Sequence, residues 1–405
     1  MQTLKPYSLT AEEEVRALWE KNRVPEKSRT KNKGKKKTFY LIDGPPYASG
    51  HIHMGTALNK VLKDIAMRMK RMQGFEVRDQ PGYDTHGLPI ENKVEAKLGF
   101  KNKKQIEEFG VEKFVNECKK FATEFIEVMN NEFYDLGVWM DWKNPYLTLD
   151  DRYIESMWWT FSRAHQKGLL YLGKYSVHVC PRCETAVAYN EIEYAKQTDD
   201  SVYVKFQLKG EKNKFLVIWT TTPWTLPGNT GVMVNPSFDY VETEHNGETL
   251  IIAKAMLEKL GAKMKTSFKV KKESKGKQLI GLEYTNPLKE LINVGDLAGA
   301  YRVIGSEKYV DLSEGTGLVH TAPGHGKEDF EEGTRNNLPV IVPVELNGAF
   351  NKLGGKYEGK KARPTNQEII KDLEEKGALL LQEKYTHDYP FCWRCKNPLL
   401  MLASP

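Results

Sequence analysis

The sequence lacks any uninterrupted apolar run of 18 or more residues, which excludes a membrane-spanning helix. Its first twenty residues, MQTLKPYSLTAEEEVRALWE, hold no apolar signal core, so a cytoplasmic location is expected rather than secretion. Cysteine is scarce, five in 405 residues, too few for a disulfide-built scaffold. Neither sign of charge dominates. The balance of 60 Lys and Arg against 54 Asp and Glu leaves +6, which permits a nucleic-acid partner without requiring one. Internal repeats are absent. With 40% hydrophobic and 28% charged residues, the chain is not disordered, collagen-like or coiled-coil, and it is long enough for two or more domains.

Four of the five cysteines fall in two C-x-x-C pairs, Cys180-Pro-Arg-Cys183 and Cys392-Trp-Arg-Cys395. In a chain without a secretory signal this spacing points to metal or redox chemistry before structural disulfides. Four thiolates would make a closed tetrahedral site for a structural Zn²⁺ ion. Independent redox pairs and plain buried cysteines are the alternatives. If both pairs hold one ion, the intervening segment must leave and return at one point, as an inserted domain does. Cys118 is expected to be merely buried.

Local patterns set the organisation. Residues 10–20 read as an amphipathic helix capped by Thr10. Lys21 to Lys37 carries nine basic residues and one acid, Glu26, and reads as a solvated loop or a phosphate-contacting arm. Phe39 to Ile42 predict a buried strand, stopped by Asp43-Gly44-Pro45-Pro46. Leu58, Val61, Leu62, Ile65, Met69 and Met72 recur at helical spacing, with Gly74 as the stop. Strand, loop and helix in that order open a parallel α/β sheet. Residues 101–136 read as charged helix, and Asp151 to Lys167 as another, rich in Trp158, Trp159 and Phe161. Residues 201–390 change to β-branched and aromatic runs broken by Gly, Asn and Pro, which predicts a separate β-rich domain.

The stretch GPPYASGHIHMGT (44–56) combines a strand end, a sharp turn and a helix start. Free N–H groups at a helix N-terminus favour phosphate, and Gly55 allows a ligand close to the backbone. Here the sequence resembles the first signature of the class I aminoacyl-tRNA synthetases. GYDTHGLPIENKVE (82–95) is similar to the isoleucyl branch rather than the valyl or leucyl one. CPRC…NEIEY (180–194), WTTTPWTLPGN (219–229) and GTGLVHTAPGHGKEDF (315–330) fit the same family. The likeness runs from about residue 7 to 405. One departure is Thr56, where the signature has His; archaeal-type members often carry this Thr.

The resemblance implies the first half of a Rossmann-like parallel sheet with an inserted β-rich editing domain. The expected division is an N-terminal helix and basic arm (1–38), the first half of the catalytic domain (39–179) and a zinc knuckle with linker (180–200). The editing domain (201–390) and a second knuckle returning to the catalytic fold (391–405) follow. The implied activity is ATP-dependent activation of L-isoleucine, with Mg²⁺, and its transfer to tRNA(Ile). Gly44, Pro45 and Asp84 match positions that hold the amino acid, Asp84 taking its ammonium group. His53, Gly55 and Thr56 match the ATP-phosphate site.

The family's second site answers a physical problem. A pocket shaped for isoleucine excludes valine poorly, because one methylene is worth only about 1–3 kcal/mol, a figure for which this family's own enzyme is the standard example. The resemblance implies a second sieve that hydrolyses Val-tRNA(Ile). Thr220, Thr221, Thr222, Thr225 and Asn229 match one wall. His320 and Asp329 match the other, Asp329 anchoring the valyl ammonium, and His325 supports the loop.

The family continues past the point matching Pro405 into a Lys-Met-Ser-Lys-Ser loop and an anticodon-binding domain. A truncated chain is therefore expected, its complement supplied by a separate chain or by a longer gene. Lys263-Met264-Lys265-Thr266-Ser267 imitates that loop only superficially. It lies between the two editing motifs, among seven lysines from 263 to 277, and is expected to be a solvated loop available to tRNA. A free-standing aminoacyl-tRNA deacylase and a zinc-bearing tRNA-binding module are the competing readings.

Overall fold

The computed structural model describes residues 7–404 and divides into two compact units between Tyr171 and Leu172. The first unit begins with α1 (Leu9–Asn22), whose N-cap is Ser8 rather than Thr10. The Ser8 hydroxyl accepts the Ala11 N–H at 3.1 Å. The basic stretch that follows is part helix, α2 (Val24–Thr30), and its Arg29 pairs with Asp79 at 2.9 Å.

Strands β1 (Thr38–Tyr40) and β2 (Glu76–Arg78) pair in parallel, with α3 (Met54–Met72) crossing between them. This is the βαβ opening that the strand–loop–helix pattern predicts, since parallel neighbours need a crossover. A second parallel pair joins β3 (Gly82–Tyr83) to β4 (Tyr146–Leu147). Helices α4 (Leu88–Leu98), α5 (Lys104–Phe109) and α6 (Val111–Asp135) close a core of Tyr83, Ile90, Val94, Phe114, Met129 and Phe133. The last helix of the unit, α7 (Asp151–Gln166), buries none of its residues.

The burial expected of Phe39 to Ile42 is only half met. Tyr40 and Ile42 are 55% and 73% exposed, whereas the alternate residues Phe39 and Leu41 pack against Met67 and Val77, so only one face is covered among the described residues. The apolar stripe of α3 also faces outward, Leu58 at 61% and Met72 at 81% exposed. Its inward side carries Lys60, Asp64, Met67 and Arg71 instead. Each of these charges is paired: Lys60 with Asp43, Asp64 with Arg68 at 2.6 Å, and Arg71 with Asp79 at 2.6 Å. Buried charge is tolerated only when paired and hydrogen-bonded, and this network sets which side of the helix turns inward.

The second unit is built on a ten-stranded mixed sheet with the order β12-β10-β11-β8-β15-β9-β14. Its members are β8 (Lys214–Thr220), β9 (Gly231–Val234), β10 (Asp239–His245), β11 (Glu248–Ala253), β12 (Lys269–Lys275), β14 (Arg302–Gly305) and β15 (Leu318–Thr321). The long β7 (Ile192–Leu208) joins this sheet through β8 and also pairs with β13 (Tyr284–Thr285) and β16 (Leu379–Cys392). Helices α8 (Leu257–Met264), α9 (Lys327–Arg335) and α10 (Asn366–Glu375) complete the lobe, around a core that includes Val202, Phe206, Ile218, Leu250 and Tyr284. A small sheet, β17-β5-β6, carries β5 (Tyr175–Cys180), β6 (Thr185–Ala186) and β17 (Leu400–Ser404).

The α/β class with a β-rich second part therefore holds. The lysine-rich stretch 263–277 is not a free loop: it ends α8 and then forms edge strand β12. Several of its lysines are neutralised locally, Lys271 by Glu244 at 2.5 Å and Lys275 by Asp239 at 2.8 Å. Lysine on an edge strand also discourages pairing with foreign strands.

Candidate functional site

In the second unit, β8 and β15 run parallel, with Trp219 opposite Val319. The next residues, Thr220 and His320, therefore emerge together at the carboxyl ends of adjacent strands, the usual place for a ligand crevice in such sheets. After β8 the chain enters a 3-10 turn, Pro223–Gly228, which brings Thr222 and Thr225 back over the strand ends. The Thr220 hydroxyl accepts the Thr222 N–H at 3.1 Å, and the Thr225 hydroxyl donates to the Thr222 carbonyl at 2.8 Å. Thr220, Thr221, Thr222, Thr225, His320, His325 and Asp329 all line one cavity of about 320 Å³.

Asn229 lies behind that wall, fully buried. Its amide nitrogen donates to the Gly231 carbonyl at 2.8 Å and faces Nδ1 of His320 at 2.9 Å. Burial pushes His320 down to about 3, and the neighbouring His325 adds to the effect, so the ring is neutral at pH 7. His325 falls to about 4 for the same reason, desolvation. It packs edge-on against Trp224 at 4.9 Å and donates through Nδ1 to the Met401 carbonyl at 3.2 Å. A Cβ on Gly228 would sit 2.8 Å from the His325 ring, which explains a glycine there. Gly324 is more constrained still: a Cβ would lie 1.9 Å from the Ile341 carbonyl oxygen.

Asp329 sits in the first turn of α9, where the helix dipole favours a negative charge. Burial nevertheless raises its pKa to about 7. The Ala322 N–H opposes that rise through a 2.9 Å bond to Oδ2. Asp329 has no ion pair among the described residues. A half-buried carboxylate without a counter-ion, in a cavity walled by hydroxyls, can receive a cation.

In the first unit, His53 is exposed and is itself the N-cap of α3. Its Nδ1 accepts the N–H groups of Gly55 at 3.1 Å and Thr56 at 3.3 Å, and its Nε2 lies 3.1 Å from the Thr56 hydroxyl. A Cβ on Gly55 would crowd this ring at 3.0 Å. The loop that carries Gly44 and Pro45 is held from below by Asp43. That carboxylate is fully buried, pairs with Lys60 and, at 2.7 Å, with Lys63, and accepts the Gly82 N–H at 2.9 Å. Asp84 follows directly after β3 and forms an isolated bridge with Tyr47. Its backbone N–H and carbonyl bond Pro46 and Ala48, each at 2.9 Å, and Thr148 donates to its side chain at 3.2 Å. Burial raises its pKa, with Thr148 opposing.

The two cysteine pairs converge. The sulfurs of Cys180, Cys183, Cys392 and Cys395 all lie within 4.8 Å of one another. Tetrahedral Zn–S bonds of about 2.3 Å require sulfurs about 3.8 Å apart, and the Cys180–Cys395 and Cys183–Cys395 sulfurs, at 3.4 and 3.7 Å, are close to that spacing. Both turns have the same backbone form. Glu184 N–H returns to the Cys180 carbonyl and Lys396 N–H to the Cys392 carbonyl, each at 2.8 Å, and both Glu184 and Lys396 are left-handed. Cys118 is half-buried in the first unit, its thiol pushed up to about 11 by burial and by Glu91 and Glu95.

Sequence reasoning missed Asp43, Lys60 and Tyr284. The first two are seventeen residues apart and meet only because α3 folds its charged side inward. Tyr284 stands fifty-five residues from Asn229, to which it donates at 2.8 Å, and no local pattern marks it.

Comparison with known proteins is consistent with these motifs. The sequence model of the tRNA synthetases class I (I, L, M and V) matches residues 14–379. Isoleucine–tRNA ligases are 48% identical in Methanothermobacter marburgensis (99% of this chain, 37% of that protein) and 46% in Methanocaldococcus jannaschii (97% and 39%). The one from Sulfolobus acidocaldarius is 45% identical (98% and 38%). The chain thus spans well under half the length of these relatives. Among solved structures, GlLeuRS-CP1 aligns with 45% of this chain and 96% of its own at 13% identity and a TM-score of 0.37. On the strength of the family match, this chain belongs to the class I tRNA synthetases of the isoleucine, leucine, methionine and valine group.

Proposed function

We propose that the chain carries the activating and proofreading parts of an isoleucine–tRNA ligase. Its reactions are ATP-dependent activation of L-isoleucine, transfer to tRNA(Ile) and hydrolysis of Val-tRNA(Ile). The observation that carries the proofreading half is Asp329: a carboxylate without a counter-ion in a threonine-lined cavity of about 320 Å³. With Oδ2 held by the Ala322 N–H, Oδ1 takes the ammonium of the mischarged valine. Thr220, Thr221, Thr222 and Thr225 limit the space and orient water, while His320, neutral and backed by Asn229, stiffens the wall. Gly44, Pro45 and Asp84 receive isoleucine in the first unit. His53, Gly55 and Thr56 face the phosphates of Mg·ATP. Zn²⁺, held by Cys180, Cys183, Cys392 and Cys395, contributes folding energy rather than chemistry.

Activation needs the remaining length present in the relatives, from a longer polypeptide or a separate chain. No helix among the described residues is long and apolar enough to cross a membrane, and the cytoplasm is part of this proposal. The test of activation is isoleucine-dependent ATP–pyrophosphate exchange by this chain joined to that remainder; no exchange would count against it.

A second reading, an independent aminoacyl-tRNA deacylase, is favoured because the whole cavity lies within the second unit. Deacylation of Val-tRNA(Ile) by this chain alone tests it. Asp329→Ala is expected to lower the rate by at least about 30-fold, the cost of removing one partner of a buried charge pair. Equal rates for the two proteins would end the reading.

A further inference from the structure

The hydrogen bonds around His320 run in one direction. The Asn229 amide nitrogen faces two backbone carbonyls, Gly231 at 2.8 Å and Thr321 at 3.3 Å, so that end must be the NH₂ group. The same nitrogen lies 2.9 Å from His320 Nδ1, so Nδ1 accepts and the proton of the neutral ring is on Nε2. Nε2–H then donates to the Thr225 hydroxyl at 3.0 Å, and the Thr225 hydroxyl in turn donates to the Thr222 carbonyl at 2.8 Å. Both nitrogens of His320 are used, and neither offers a lone pair to the cavity.

At the head of this series stands Tyr284. It is fully buried on β13, stacked on Phe206 at 5.1 Å, and donates its hydroxyl proton to Asn229 Oδ1 at 2.8 Å. Two residues on, Asn286 donates to the Leu226 carbonyl at 3.1 Å and so grips the same 3-10 turn. Tyr284 is the only donor to Asn229 Oδ1 among the described hydrogen bonds.

We infer that Tyr284 is a positioning residue of the hydrolytic cavity. With the Gly231 and Thr321 carbonyls it holds Asn229 in the orientation that keeps His320 as the Nε2–H tautomer, a donor to Thr225 rather than a general base. The functional part of this inference rests on the proofreading reading above; the tautomer itself does not.

The test uses the full chain labelled with ¹⁵N-histidine, with the His320 signals assigned by loss in His320→Gln. Wild type is expected to show an unprotonated Nδ1 and a protonated Nε2, unchanged from about pH 5 to 8, as a depressed pKa requires. Tyr284→Phe keeps this tautomer, which the Gly231 and Thr321 carbonyls still fix, but leaves Asn229 Oδ1 without its donor and is expected to shift the His320 ¹⁵N signals. Its kcat for Val-tRNA(Ile) deacylation should fall about fivefold at unchanged KM, the equivalent of one neutral hydrogen bond. A protonated Nδ1 in wild type overturns the inference, and that measurement stands even if the variant fails to fold. So does a folded Tyr284→Phe with an unaltered His320 pattern and an unaltered kcat. The expected wild-type tautomer without any deacylation supports the hydrogen-bond assignment and overturns the proofreading reading instead.

Discussion

Asp329 reaches back seven residues to accept the Ala322 N–H at 2.9 Å, and this bond is the main force holding down a pKa that burial has raised to about 7. The consequence is a titration in the working range. Below pH 7 the group is neutral and cannot hold an ammonium ion; above it the carboxylate can. The kcat/KM for deacylation is expected to fall about tenfold per pH unit below 7, the slope of a single proton. His320 and His325, at about 3 and 4, stay neutral there and add nothing to this limb. A pH–rate profile checks it, and a flat profile from pH 5 to 8 would remove Asp329 from substrate binding.

The same two histidines make a prediction about stability. Their folded pKa values lie below the ordinary 6.5, so the unfolded chain binds protons first as pH falls. Their contribution is complete above pH 6.5 and is lost toward pH 4, at about 1.4 kcal/mol per pH unit for each ring. Asp329 acts in the opposite sense, since its raised pKa favours the folded state on acidification. Urea unfolding of Asp329→Asn against the Asp329→Asn/His320→Gln double variant isolates one histidine; identical pH slopes would contradict its burial as a neutral ring.

Removal of metal should be felt as lost stability. Cys395→Ser is expected to abolish binding of one Zn²⁺ per chain and to lower the unfolding temperature of the second unit, because a structural metal's binding energy is folding energy. Metal analysis and thermal unfolding read the two effects. A metal-free protein with wild-type melting would reduce the cluster to packed thiols.

The buried pair Asp43–Lys60 should be asymmetric. Lys60→Met leaves Asp43 with Lys63 at 2.7 Å, whereas Asp43→Asn strands a buried lysine whose pKa desolvation already lowers. Breaking such a pair typically costs about 3–5 kcal/mol, so Asp43→Asn is expected to be the worse variant. Because Lys60 is depressed in the folded state, the deficit should narrow as pH rises and the unfolded lysine also loses its proton. Denaturant titrations at several pH values read this; equal destabilisation by both variants would refute it.

Much of this architecture is legible from spacing alone. The βαβ opening follows from the run Phe39–Ile42, a turn and a helical stripe, and the meeting of Cys180 with Cys395 from two matched spacers. What spacing cannot show is orientation. The periodicity of Leu58, Leu62 and Ile65 announces a helix correctly but does not show that this stripe lies exposed while Lys60, Asp64 and Arg71 turn inward in ion pairs. Likewise, Thr220 and His320 become neighbours only through the parallel register of Trp219 and Val319, a hundred residues apart. Tyr284 escapes altogether, since its partner is distant and its own surroundings read as ordinary core.

The antiparallel ribbon of β7 and β16 runs from Ile192 opposite Cys392 to Val204 opposite Leu379. Everything between its two upper ends departs and comes home rung by rung on the same ladder. The stem is not the only tie to that foot: the Gly324 carbonyl accepts the Ala403 N–H at 2.8 Å and His325 bonds the Met401 carbonyl, so a foreign tract grafted above Val204 and Leu379 would have to offer β17 the same two partners. That makes the lobe a cassette clipped at two points, transferable only together with the strand that receives it.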